Sequence, residues 1–138
     1  SHVIPALLRK AHEAKAGGEA DLPIWGSGRP RREFLHVDDC ADALVHLMIH
    51  WSAPREGPGH VNVGCGEDLT IADLARTVMD VVGLSGEVVT DPSKPDGTPR
   101  KLLDVSRLRS LGWQPRIPLS EGLAAVYAEA PFREAVRA

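Results

Sequence analysis

At 138 residues, 43% of them hydrophobic and 25% charged, the chain holds enough apolar material for one core and too little length to count on two. Its net charge of −3 argues against a nucleic-acid partner, which would call for a basic excess, and no apolar run approaches the length of a membrane span. Two cysteines, Cys40 and Cys65, are too few for a disulfide framework and stand in no metal-ligand spacing, so both read as small core fillers.

From Val3 to about Lys15 the residues Val3, Leu7, Leu8 and Ala11 recur at helical spacing, with Pro5 tolerated in the first turn and Gly17-Gly18 as the stop. Ser1-His2-Val3 opens almost directly into this helix without a methionine, and the chain is therefore expected to have been cut from something longer. Leu22 to Trp25 is a strand candidate, separated by Gly-Ser-Gly-Arg-Pro from a second one, Arg32 to Val37. Asp38 is placed to cap the next helix, which carries Ala41, Leu44, Val45, Met48 and Ile49 toward Trp51.

Ser52 to Gly59 is a loop, and His60 to Gly64 is a strand candidate ending in Gly64-Cys-Gly66. A lone Gly-x-Gly is weak evidence for phosphate, and this one reads as a turn. Thr70 to Val82 is the clearest helix, with Thr70 and Asp73 as a capping pair and Gly83 as the stop. Glu87 to Thr90 makes a short strand. Asp91 to Lys101, with three prolines and no other apolar side chain, makes a stiff loop, after which Leu102 and Leu103 are expected to re-enter the interior. Val105 to Leu111 and Pro118 to about Ala130 close the chain as helices. Alternating short strands and amphipathic helices give an α/β class, with too thin a sheet for its helices; some elements are expected to pack on something not present.

Six histidines never meet carboxylates or cysteines in a ligand spacing, so no metal is expected; His46 and His50 share a helix face and nothing more. No serine sits in a nucleophile elbow, neither cysteine has a basic neighbour to activate it, and Tyr127 reads as a packing residue. The stretch that departs from an average domain is Trp25 to Asp39: a tryptophan, two glycines, a proline, and three arginines at 29, 31 and 32. A flat ring beside fixed positive charge suits a nucleotide with its phosphates. A half-buried tryptophan in a turn with solvated arginines fits the same residues. Arg9 and Lys10, then Arg29, Arg31 and Arg32, then Lys94, Arg100 and Lys101 would neutralise a diphosphate if the fold brought them together.

The runs Ser1 to Lys10, Trp25 to Asp39, His60 to Gly64 and Lys94-Pro-Asp-Gly-Thr-Pro-Arg-Lys-Leu-Leu-Asp104 together resemble the C-terminal part of the GDP-L-fucose synthases, which are extended short-chain dehydrogenase/reductases. The resemblance implies conversion of GDP-4-keto-6-deoxymannose to GDP-L-fucose, by epimerisation at C3 and C5 and NADPH-dependent reduction at C4. It implies that His2 is the general acid and also touches the cofactor. Val3, Leu7, Lys10, Ile24, Trp25, Arg32 and Lys101 would line the GDP-sugar site, with Lys10, Arg32 and Lys101 near phosphate or ribose. Asp96 either binds a substrate hydroxyl or fixes its own turn, while Arg29 and Arg31 are solvated.

The family's glycine-rich NADP loop, its Ser-Tyr-Lys set and its catalytic cysteine have no counterpart here, and Cys40 is not that cysteine. On this reading residues 1–138 are a C-terminal GDP-sugar-binding portion lacking its Rossmann domain, inactive alone, and drawn from a cytoplasmic enzyme that is a homodimer when complete. The region from Phe34 to Trp51 and His60 to Gly64 would return to the Rossmann sheet. The alternatives are another nucleotide-sugar epimerase or reductase of the superfamily, and a non-catalytic nucleotide-sugar-binding module.

Overall fold

The computed structural model describes residues 2–55, 57 and 59–130, so Ser1, residues 131–138 and part of the loop between Ser52 and Gly59 lie outside the described residues. In order, the elements are α1 (Val3–Ala16), β1 (Leu22–Trp25), β2 (Arg31–Glu33), α2 (Val37–His50), β3 (Asp68–Thr70), α3 (Ile71–Val82), β4 (Val88–Asp91), β5 (Arg100–Lys101), α4 (Ser106–Ser110) and α5 (Leu119–Ala128). The strands form two small sheets. In one, β1 runs parallel to β4 with Trp25 opposite Asp91; in the other, β2 is central, antiparallel to β3 and parallel to β5.

Helix α3 organises the core because its ends are fully specified. The Thr70 hydroxyl accepts from the Asp73 backbone N–H at 3.0 Å and donates to the Asp73 carboxylate at 2.6 Å, and Gly83 at φ 77° turns the chain out of the helix. Its buried stripe, Leu74, Ala75, Val78, Met79 and Val82, meets Leu7, Leu8, Ala11 and Ala14 of α1, Leu22 and Ile24 of β1, and Leu123 of α5. A second cluster joins Ala43 of α2 to Leu108 of α4 and Trp113.

Several expectations are corrected. His36, not Asp38, caps α2, its ring accepting from the Asp38 N–H at 3.2 Å. The second strand is confined to Arg31–Glu33, because the residues after it find no ladder partner among those described. Residues 60–64 form no strand for the same reason. The proline-rich loop ends in a strand, β5, since Arg100 and Lys101 align with Arg31 and Arg32. Leu102 and Leu103 stay exposed.

Arg31 is not simply solvated: its side chain is 42% exposed, but its Nε donates to the Asp68 carboxylate at 2.9 Å, and Arg100 binds the other oxygen of the same group. The outward face of α2 is apolar, with Val37, Leu44, Val45, Met48 and Ile49 exposed, in keeping with the expectation that some elements lack a partner here.

Candidate functional site

The turn after β1 projects Trp25 from the sheet edge, where it is 69% exposed although Ile24 before it is 2% exposed. Alternation along the strand puts Leu22 and Ile24 into the core and Pro23 and Trp25 outside. Two ammonium groups reach the indole: Nζ of Lys10, from α1, lies 5.4 Å from the ring centroid, and Nζ of Lys94, from the loop after β4, lies 5.8 Å away.

Immediately after the ring, Ser27 grips that same loop. Its backbone N–H donates to one Asp96 carboxylate oxygen at 2.8 Å and its hydroxyl to the other at 2.6 Å. Asp96 therefore fixes a turn, yet one distant in sequence rather than its own. These bonds, the side-chain hydroxyl foremost, hold the Asp96 carboxyl below the ordinary carboxylate range. Gly26 permits the approach, because a Cβ there would sit 2.3 Å from the Asp96 oxygen and the residue's φ is 73°.

Two residues past Asp96, the Thr98 carbonyl accepts from Nη1 of Arg32 at 2.7 Å, and Arg32 pairs in register with Lys101. Lys10 and Trp25, Ser27 and Asp96, and Thr98, Arg32 and Lys101 are thus joined by contacts, and each group follows the last by two residues of chain.

The cations along this line lack a contact ion pair, in contrast to the cations nearby. Arg31 and Arg100 share Asp68, Arg76 pairs with Asp73, and Arg116 with Asp42. Among the described residues, Lys10, Arg32, Lys94 and Lys101 make no ion pair at contact distance. Arg32 spends Nη1 on the carbonyls of Arg31 and Thr98, which orients the guanidinium and leaves its other donors to face a ligand. Fixed donors with no carboxylate partner are what an anionic ligand needs.

Leu7 and Ile24 stand apart from the other expected lining residues, being 5% and 2% exposed within the core. Packing there fixes α1 and β1, and so the places of Lys10 and Trp25. Val3 is partly buried, and His2 is exposed where α1 begins, its side chain uninvolved in capping.

The Gly64-Cys-Gly66 turn is taken up by protein groups. The Gly66 N–H donates to the Glu33 carboxylate at 2.6 Å, whose other oxygen accepts from the Leu103 N–H at 3.1 Å, and a Cβ on Gly64 would lie 2.4 Å from Glu33 Oε1. Among the described residues no group of three histidine, cysteine or acidic side chains could hold a metal ion, and no helix is long and apolar enough to cross a membrane.

A model of the family described as NAD dependent epimerase/dehydratase matches residues 1–64. The chain is 56% identical over 127 residues to the probable GDP-L-fucose synthase 1 of Oryza sativa subsp. japonica, and 55% identical over 132 residues to the GDP-L-fucose synthase of Escherichia coli (strain K12). Over residues 1–64 the chain is thus similar to the NAD dependent epimerase/dehydratase family.

Each of those two matches takes in 92% of this chain but only 38% and 41% of the respective relative, so the chain spans about two fifths of their length. Among solved structures, the GDP-mannoheptose C4 reductase of Campylobacter jejuni, determined with NADP bound, superposes with a TM-score of 0.80 at 37% identity, covering 93% of this chain and 44% of that one.

Sequence reasoning missed the tie between Ser27 and Asp96 and the clasp made by Glu33. The first had no signal, since a serine in a turn and an aspartate in a distant loop advertise no pairing. A partial signal for the second lay in Glu33 itself, an acid inside an otherwise basic and apolar run.

Proposed function

We propose that this chain is the GDP-sugar-binding C-terminal portion of a GDP-L-fucose synthase, acting on GDP-4-keto-6-deoxymannose. The observation that carries the reading is the series that runs from Lys10 over Trp25, two residues on to the Ser27–Asp96 tie, two residues on again to the Thr98–Arg32 bond, and to Lys101 in register with Arg32. A nucleoside diphosphate fits it: the exposed indole offers a face to base or sugar, and the unpaired cations match a diphosphate. Asp96, already holding Ser27, keeps lone pairs for a sugar or ribose hydroxyl. Val3 borders the site, while Leu7 and Ile24 shape it from beneath.

His2 is assigned the role of acid. Carbons beside a 4-keto group lose a proton to a base on one face, which we place outside residues 1–138, to give an enolate; an imidazolium then gives its proton to the carbon from the opposite face, the enolate electron pair forms the new C–H bond, and the carbonyl is restored. An exposed imidazole at the opening of α1, eight residues before Lys10, is free to approach such a carbon.

The reducing equivalents for C4 would come from NADPH. The described residues do not fit that cofactor by themselves, because Glu33 takes the Gly66 N–H of the Gly64-Cys-Gly66 turn and Asp96 takes the Ser27 N–H of Gly26-Ser27-Gly28. We therefore place NADP mainly on a Rossmann portion outside residues 1–138, with His2 at its edge, and expect no turnover from this chain alone. The complete enzyme is assigned to the cytoplasm as a homodimer.

Calorimetric titration of GDP into the purified polypeptide tests the site. Saturable binding is expected, weakened at least tenfold by Arg32→Ala, which corresponds to about 1.4 kcal/mol. Equal affinity for UDP would move the chain to another nucleotide-sugar enzyme, and absence of any binding would overturn the reading.

A further inference from the structure

Lys94 and Ser27 have no place in the site as expected from the family resemblance, yet the structure builds the loop after β4 around them. Two features of the sequence meet face to face. Trp25 is followed at the second position by Ser27, Lys94 is followed at the second position by Asp96, and each pair touches its counterpart: Lys94 the ring, Asp96 the serine. We propose that Lys94 is a further binding residue for the diphosphate of the nucleotide sugar and that Ser27 is the residue that positions it. The inference rests on the nucleotide-sugar reading above and adds a residue pair to it.

The loop is fixed before any ligand arrives. Asp91 accepts from the N–H and hydroxyl of Ser93, and its carbonyl from the Lys94 N–H at 3.2 Å; Ser27 holds Asp96; Arg32 holds the Thr98 carbonyl; and the Pro99 carbonyl accepts from the Arg31 N–H at 2.8 Å. Prolines at 92, 95 and 99 remove much of the remaining freedom. These bonds place the Lys94 backbone beside the indole, and its ammonium lies 5.8 Å from the ring centroid. The ammonium groups of Lys10 and Lys94 come from two different elements to one solvent-facing ring, with no carboxylate at contact distance from either. Asp91 feels the charge of Lys94 from a distance, but two like charges at an exposed ring with no carboxylate in contact are complementary to a dianion seated beside that ring.

The test uses the 138-residue chain, with folding of every variant confirmed by circular dichroism and thermal unfolding, and calorimetric titration of GDP and of guanosine at several salt concentrations. Lys94→Ala is expected to weaken GDP binding about fivefold to tenfold, as for loss of one exposed charge-assisted contact, to reduce its salt dependence, and to leave guanosine binding unchanged. Ser27→Ala is expected to reproduce that loss, Ser27→Thr to restore affinity, and Ser27→Ala in the Lys94→Ala background to cost less than about twofold further.

The proposal for Lys94 is overturned if Lys94→Ala binds GDP as tightly as the parent with the same salt dependence. The role of Ser27 is overturned if its substitution costs as much without Lys94 as with it. A parent chain that fails to bind GDP overturns the nucleotide-sugar reading and this inference together. A parent that binds while Lys94→Ala is unaffected overturns this inference alone.

Discussion

Asp39 carries a charge into the interior at 3% exposure, and the fold answers it with backbone rather than with a cation: the N–H groups of Arg116 and Ile117 donate to its carboxylate, the shortest contact being 2.9 Å. Removing the acceptor strands those donors, so Asp39→Ala is expected to destabilise the chain by about 1–3 kcal/mol in urea unfolding, and Asp39→Asn by less. The sequence pointed to Asp38 as the cap because it stands three places before Ala41, the first residue of the apolar repeat, but His36 does that work and Asp39 serves a segment far along the chain.

Asp68 makes the opposite case, since it is met by two guanidinium groups. The hydrogen bond from Arg100, followed by that from Arg31, holds its carboxyl below the ordinary range. A carboxyl with a folded pKa depressed below its unfolded value adds stability above that unfolded value, and the contribution fades as pH falls through the folded one. Stability is accordingly expected to hold from neutrality to about pH 5 and to fall below about pH 4, with Asp68→Asn flattening the profile in acid-unfolding experiments.

The elements differ in how openly they are written. Helix α3 was legible to the residue because both its ends are local chemistry: a hydroxyl and a carboxylate three positions apart at one end, and a left-handed glycine at the other. Thr70→Ala is expected to cost about 1 kcal/mol, read as a lowered midpoint in chemical denaturation. Strands β3 and β5 were not legible, for they have three residues and two, and neither carries an alternating apolar pattern. What makes them strands is the central β2 between them, with Asp68 of β3 bonded by Arg31 of β2 and by Arg100 of β5. Residues 60–64 erred the other way: Val-Asn-Val alternates as a strand should, but alternation specifies a face, and a ladder also needs a second backbone.

Taken whole, the chain divides between a core closed around α3 and a helix, α2, finished on one side only. Ala43 is sealed against Leu108 and Trp113, whereas Met48 is 84% exposed on the far side beside Val37, Leu44, Val45 and Ile49. The sequence marked these residues as a helix face; which residues of that face would be covered here depended on partners no local pattern names. The bare surface is expected to drive concentration-dependent self-association in sedimentation experiments, and the double substitution Met48→Lys with Ile49→Glu to suppress it without lowering the unfolding temperature by more than a few degrees.

The Glu33 carboxylate, with one oxygen on the Gly66 amide and the other on that of Leu103, ties the turn before β3 to the segment leaving β5. Remote loops joined through a single side chain should share one opening event. Deuterium uptake at those two amides is therefore expected to rise in concert when Glu33 is replaced by alanine, although neither amide belongs to a named strand or helix.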